Sequence, residues 1–132
     1  MSSRLESISA HLHTTSHMAS KAIAIVAGVG PGTGASVARR FGAAYPVVLL
    51  ARKPESYESL AEEINRSGGK AVGISTDVSN PESVKAAFDK IKEQHGDVPI
   101  AAAIFNASGP FARKPFLEQK IEEFNGSWSV SV

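Results

Sequence analysis

The sequence contains no cysteine, which excludes disulfide bonds, thiolate zinc sites and a cysteine nucleophile. No apolar run approaches the roughly 20 residues that a membrane-spanning helix requires. The formal net charge is only +1, so the composition does not indicate a nucleic acid or an anionic membrane as a partner. Since cysteine-free chains fit a reducing compartment, we expect a cytoplasmic protein, with a mitochondrial location as the alternative.

The first twenty residues differ in composition from the rest of the chain. They contain six serines and three of the four histidines, and they contain no aromatic residue. Such a segment cannot bury enough apolar surface to offset the entropy lost on ordering, so residues 1–20 are predicted to be a disordered tail. Met18 offers an alternative start of the chain. His13 and His17 have no nearby third ligand, and no metal site is predicted.

From residue 21 onward, apolar runs typical of buried strands alternate with apolar spacing typical of helices. This pattern predicts one domain over residues 21–132. Short runs rich in β-branched and apolar residues predict strands at 22–27, 46–51, 71–75 and 99–105. Helical spacing predicts helices at 35–44, from about Pro54 to Gly68, from about Ser79 to Gly96, and from Pro115 to about Phe124. Ser79 and Glu82 have the spacing of a capping box at the start of the third helix.

Regular alternation of strands and helices with short connections indicates right-handed β-α-β units. The expected fold is therefore α/β: a doubly wound parallel sheet of the Rossmann type with about four strands.

A glycine-rich segment lies between the first strand and the first helix. Glycine at such a turn lets the backbone approach a pyrophosphate closely, and the amide groups at the helix start can then bind the phosphates. Two spacings fit the segment: Gly30, Gly32 and Ala35, or Gly28, Gly32 and Gly34. The alternative is a glycine-rich turn that binds no ligand.

The end of the second strand bears on which dinucleotide would bind. NAD-binding folds of this type usually place a carboxylate about 20 residues after the glycine motif, where it binds the ribose 2′-hydroxyl. No Asp or Glu occurs from Ala35 to Pro54, and Arg52 and Lys53 follow the second strand instead. A guanidinium there can pair with the 2′-phosphate, so NADP(H) is predicted rather than NAD.

Three segments, in order and spacing, resemble the short-chain dehydrogenase/reductase family. They are Ala27-Gly28-x-x-x-Gly32-x-Gly34, Asp77-Val78 after the third strand, and Phe105-Asn106-Ala107-Ser108 after the fourth. The resemblance favours the spacing that uses Gly28, and it implies an NADP(H)-dependent oxidoreductase acting on a carbonyl or an alcohol. The cofactor-binding residues implied by the motifs, together with Arg52, are Gly28, Gly32, Thr33, Gly34, Arg52, Asp77, Val78, Asn106 and Ala107. Taken singly, Asp77 and Asn106 could instead cap turns.

The family's catalytic Tyr-x-x-x-Lys motif does not occur in the sequence. The only tyrosines are Tyr45 and Tyr57, and Leu49 and Ala61 stand four residues after them. We therefore predict no catalytic residue in this chain and expect it to be a truncated form of such an enzyme. The alternative is a non-catalytic NADP-binding module, or a pairing partner of a full-length relative. In the family's strand order the fourth strand would become an exposed edge, so marginal stability and self-association are also expected.

Overall fold

The computed structural model describes residues 22–110 and 113–131, so the predicted tail at 1–20 lies outside the described residues. These ranges contain four strands: β1 (Ile23–Ala27), β2 (Val47–Ala51), β3 (Ala71–Ser75) and β4 (Ile100–Phe105). The α-helices are α1 (Thr33–Gly42), α2 (Glu58–Arg66), α3 (Pro81–His95) and α4 (Ile121–Ser131). Short 3-10 helices cover Pro54–Ser56 and Phe116–Glu118. No helix in the two described ranges is both long enough and apolar enough to cross a membrane.

The four strands form one parallel sheet in the order β3-β2-β1-β4. The predicted doubly wound α/β architecture is therefore confirmed. Strands β1 and β2 are central, and their five-residue runs of apolar side chains are almost completely buried. This agrees with the rule that parallel strands covered on both faces are apolar at every position.

Successive side chains of the central strands enter two separate cores, one on each face of the sheet. On one face, Val26 and Leu49 pack with Leu60 and Ile64 of α2 and with residues of α1. On the opposite face, residues of β1, β2 and β3 pack against Ala87 and Ile91 of α3. Helices α1 and α2 thus cover one face and α3 the other, which leaves the carboxyl ends of the strands accessible.

Strand β4 is much less buried than the central strands β1 and β2. Ile100 is 47% exposed and Phe105 is 59% exposed, and β4 pairs with β1 along one edge only among the described residues. Helix α4 follows it and contains no buried residue. Its aromatic side chains, Phe124 and Trp128, stack on each other at a ring-centroid distance of 6.0 Å rather than in a core.

Two details of the local prediction were wrong. The last helix was predicted at Pro115 to about Phe124, but α4 begins at Ile121, after a 3-10 turn and an extended Gln119. The start of α4 is fixed by Glu123. Its carboxylate accepts a hydrogen bond from the backbone N–H of Lys120 and forms an ion pair with Lys114. These polar contacts, rather than the apolar spacing, set the beginning of the helix.

The predicted capping box at the start of α3 is also absent. Ser79 donates its hydroxyl to Asp77 Oδ1 at 2.6 Å, so the side chain is already engaged. Asn80 caps the helix instead, and its Oδ1 accepts from the backbone N–H groups of Glu82 and Ser83. Ser and Asn compete for such local hydrogen bonds, and here the Asx turn at Asp77 decides the outcome.

Candidate functional site

A cleft of about 720 Å³ opens at the carboxyl ends of the four strands. It lies where β1 has β2 on one side and β4 on the other, which is the point at which the chain's strand order reverses. Ligands of open parallel α/β sheets bind in this crevice because the loops that leave the strands diverge there. The volume is in the range of small-molecule and cofactor sites.

The structure brings all nine cofactor-binding residues that the sequence predicted into this one cleft. These residues are Gly28, Gly32, Thr33, Gly34, Arg52, Asp77, Val78, Asn106 and Ala107. Eight further residues line it that were not among those nine: Val29, Gly30, Ala51, Lys53, Ser56, Thr76, Ser108 and Val130. Lys53 and Ser108 lie beside residues of the motifs, whereas no sequence signal pointed to Ser56 or Val130.

Gly28 directly follows β1 and has a backbone conformation that other residues rarely adopt. Its φ is +87°, and a Cβ atom added there would overlap the backbone of Asn106 and Ala107 after β4. Gly34, in the first turn of α1, is equally constrained, since an added Cβ would lie 2.5 Å from the carbonyl oxygen of Gly28. These two glycines are therefore required by the packing of the turn itself.

Gly30 and Gly32 line the same cleft without any such packing requirement. A Cβ atom added at either position would meet nothing within 4 Å. Because both residues face the open cleft, the space beside them is available to a ligand. The packing of the folded chain therefore explains Gly28 and Gly34 but gives no reason for Gly32.

The amino terminus of α1 is suited to an anion. Its first turn contains no acidic residue and its N-cap, Gly32, has no side chain to cap the helix. The backbone N–H groups of Ala35 and Ser36 bond to Gly30 and Gly32. Within the described part of the chain, no such bond is made by the N–H groups of Thr33 and Gly34. Amides without a protein acceptor at a helix start, with the helix dipole behind them, are suited to bind a phosphate.

Asn106 joins the end of β4 to the glycine turn. Its backbone N–H donates to the carbonyl of Ala27 at 2.7 Å, and its Nδ2 donates to the carbonyl of Gly28 at 3.1 Å. A structural function of this side chain is therefore evident, since it holds two loops of the cleft together.

Asp77 forms an Asx turn at the end of β3. Its Oδ1 accepts hydrogen bonds from the hydroxyl and the backbone N–H of Ser79. These hydrogen bonds, with a further contribution from the positive charge of Arg52, hold the pKa of the Asp77 carboxyl below its ordinary value of 3.8. Asp77 is therefore ionised at neutral pH, and Arg52 is near enough to its carboxylate to influence its titration.

The cleft thus combines three kinds of group. At the start of α1 lie open glycines and amides that have no backbone acceptor in the described ranges, two cations follow β2, and a carboxylate follows β3. The amides suit a pyrophosphate, the cations suit a further phosphate, and the carboxylate suits a hydrogen-bond donor such as an amino group. In the two described ranges, no group of three or more histidine or acidic residues could hold a metal ion.

Comparison with known proteins agrees with this geometry. The family model described as short chain dehydrogenase matches residues 22–132. The chain is 31% identical over 114 residues to the uncharacterized oxidoreductase YuxG of Bacillus subtilis, covering 84% of this chain and 16% of that protein. It is 33% identical over 108 residues to glucose 1-dehydrogenase 2 of the same organism, covering 77% of this chain and 42% of that protein.

Solved structures show the same relationship. A metagenomic short-chain oxidoreductase in complex with NADP superimposes with a TM-score of 0.74 at 28% identity, covering 84% of this chain and 50% of that one. A short-chain type dehydrogenase/reductase from Mycobacterium marinum superimposes with a TM-score of 0.78 at 30% identity, covering 86% of this chain and 45% of that one. The chain spans at most half the length of each of these four proteins. On its sequence, its Rossmann-type sheet and these matches, the chain belongs to the short-chain dehydrogenase family.

Proposed function

We propose that this chain binds NADP(H) in the cleft at the carboxyl ends of the strands, as the cofactor-binding half of an oxidoreductase that acts on a carbonyl or an alcohol. When bound, the nicotinamide supplies the hydride chemistry. The chain's own residues bind and orient the dinucleotide: the start of α1 would take the pyrophosphate, and Asp77 would accept a hydrogen bond from the adenine amino group.

One observation carries the preference for NADP(H). Arg52 and Lys53 line the cleft directly after β2, where an NAD-binding fold would place a carboxylate. The sequence from Ala35 to Pro54 contains no acidic residue. Among the described residues, Asp77 supplies the only carboxylate that lines the cleft; it follows β3 and is held by Ser79. The metagenomic relative in complex with NADP supports the same assignment.

Calorimetric titration of the 132-residue chain with NADPH and with NADH tests this proposal. The wild-type chain should bind NADPH more tightly, and Arg52→Asp should weaken NADPH binding by about 100-fold, because a charge-assisted pair is replaced by repulsion. NADH binding should change by no more than about threefold, since the new carboxylate can accept a hydrogen bond from the ribose 2′-hydroxyl.

Arg40→Asp is the matched control for the change of charge. Arg40 is exposed on α1 and does not line the cleft, so this variant should bind NADPH as the wild type does. A wild-type chain that prefers NADH, or an Arg52→Asp variant with undiminished NADPH affinity, would contradict the assignment.

A second proposed function is pairing with another polypeptide through β4, and the exposure of this strand favours it. Ala101, Ala103 and Phe105 are exposed side chains on one face of β4. An unpaired apolar strand edge is a template for another chain.

Light scattering after size-exclusion chromatography checks this second proposal. The mass of the wild-type chain should rise with concentration, and Ala103→Lys should move association to about tenfold higher concentration by placing a charge on the exposed apolar face of this edge strand. Ser59→Lys adds the same charge at an exposed position of α2 and should leave association unchanged. A chain that stays monomeric at every concentration and unfolds cooperatively would refute pairing through β4.

A further inference from the structure

We propose that the hydroxyl group of Ser56, with Arg52 and Lys53, binds the 2′-phosphate of NADP(H) and contributes to the choice between the two dinucleotides. This inference rests on the proposed function and adds a specificity-determining residue to it. All three side chains belong to the connection between β2 and α2, and all three line the cleft. Ser56 is half-buried, whereas Arg52 and Lys53 are exposed.

The position of Ser56 is fixed by the local backbone. Pro54–Ser56 forms a 3-10 turn with Pro54 at its first position, where the ring restricts φ. The backbone N–H of Ser56 donates to the carbonyl of Lys53 at 3.0 Å, and that of Tyr57 donates to the carbonyl of Pro54 at 3.0 Å. The turn therefore folds the backbone of Ser56 back onto that of Lys53, and Ser56 lines the same cleft as Arg52 and Lys53.

Tyr57 anchors the same turn to the edge of the sheet. Its ring occupies the space beside Gly73 of β3, where a Cβ atom would overlap the ring carbons. Its hydroxyl is 3.1 Å from the Oγ of Ser75 at the end of β3. The connection that carries Ser56 is thus held against β3 before any ligand binds, so the entropy of ordering it is already lost on folding.

The chemistry of the three groups suits a phosphate better than a hydroxyl. Arg52 and Lys53 supply positive charge and only donate hydrogen bonds, and Ser56 adds a donor in the partly enclosed part of the cleft. A hydrogen bond to a charged phosphate is roughly twice as strong as one to a neutral hydroxyl. The carboxylate nearest in sequence, that of Glu55, is exposed and does not line the cleft. Loss of the Ser56 hydroxyl should therefore weaken binding of the phosphate-bearing cofactor selectively.

The test is titration of the wild type, Ser56→Ala and Ser56→Thr with NADPH and NADH. Adenosine 2′,5′-bisphosphate and AMP serve as probes that lack the nicotinamide. We expect Ser56→Ala to weaken binding of NADPH and of the bisphosphate by about tenfold, the range of a hydrogen bond to a charged group at a partly exposed position. Binding of NADH and AMP should change by less than about twofold, and Ser56→Thr, which keeps a hydroxyl, should retain most of the NADPH affinity.

Ser59→Ala removes a hydroxyl from the exposed surface of α2 outside the cleft and controls for a general effect of the substitution. If Ser56→Ala weakened the binding of NADPH and of NADH equally, the inference would be overturned, because the hydroxyl would then stabilise the turn and not bind the phosphate. Unchanged binding of all four ligands would also overturn it. If Arg52→Asp lowers NADPH affinity and Ser56→Ala does not, only this inference fails. A wild-type chain that binds neither dinucleotide would refute the proposed function itself.

Discussion

Replacing Gly28 with alanine should lower the free energy of unfolding by about 3 kcal/mol or more, from strain at a positive φ together with overpacking. The φ of Gly28 is +87°, and the added methyl group would overlap the backbone of Asn106 and Ala107. That contact joins the ends of β1 and β4, and relief of the overlap would lengthen the 3.1 Å bond from Asn106 Nδ2 to the carbonyl of Gly28. Urea unfolding followed by circular dichroism measures the loss.

Gly30→Ala is the matched control, two residues along the same turn. Gly30 does not have a positive φ, and an added Cβ would meet nothing within 4 Å. Its free energy of unfolding should stay within about 0.5 kcal/mol of the wild-type value, as for surface substitutions away from special backbone positions. If both variants lost the same stability, the cause would be a general effect of replacing a glycine in this turn, and not the packing at Gly28.

The central part of the fold could be predicted from the sequence because its signal comes from burial. The run Ile23–Ala27 is apolar at every position since both faces of β1 are covered, and the same holds for Val47–Leu50 of β2. The glycine turn was equally informative, because positive φ and close backbone contact restrict Gly28 to one residue type.

The region after β4 could not be predicted in the same way. Phe116 is 84% exposed and Leu117 is 93% exposed, so their apolar spacing does not report a buried helical face. Apolar residues at helical spacing predict a helix only when the apolar face is buried. Here the polar contacts of Glu123 determine where α4 begins. Val130 of this helix lines the cleft, and α4 passes close to Gly109, where an added Cβ would lie 2.8 Å from the carbonyl oxygen of Ser127.

Ser56 and Val130, the two cleft residues to which no sequence signal pointed, share one property: their position depends on contacts between distant segments. Ser56 reaches the cleft because the 3-10 turn folds it back and because Tyr57 is anchored on Gly73 and Ser75. No spacing rule contains that information, since the anchoring residues lie on another strand. By contrast, Arg52 and Asp77 directly follow strand ends, so the topology of a parallel sheet already places them together.

Replacing Gly32 with valine should abolish measurable dinucleotide binding, a loss of at least about 100-fold, while the chain remains folded. An added Cβ at Gly32 would meet no protein atom within 4 Å, so the side chain would extend into space that belongs to the cleft. The same residue is the N-cap of α1, directly before the N–H groups of Thr33 and Gly34, which have no backbone acceptor among the described residues, so a branched side chain there would block a phosphate. Calorimetric titration with NADPH measures the binding, and circular dichroism verifies the fold.

Comparing Gly32→Val with Gly30→Val distinguishes the two glycine spacings that could form the pyrophosphate-binding motif. It also tests whether the turn binds a ligand at all. If the motif is Gly28, Gly32 and Gly34, the variant at Gly32 should lose binding and the variant at Gly30 should keep most of it. If the motif is Gly30, Gly32 and Ala35, both variants should lose binding, because both residues would then lie under the pyrophosphate. Full NADPH affinity in Gly32→Val would mean that the open space beside the start of α1 is not the pyrophosphate site. Since Gly28→Ala acts through packing and Gly32→Val through occupancy of the cleft, the two variants separate the glycine that the fold needs from the one that the ligand needs.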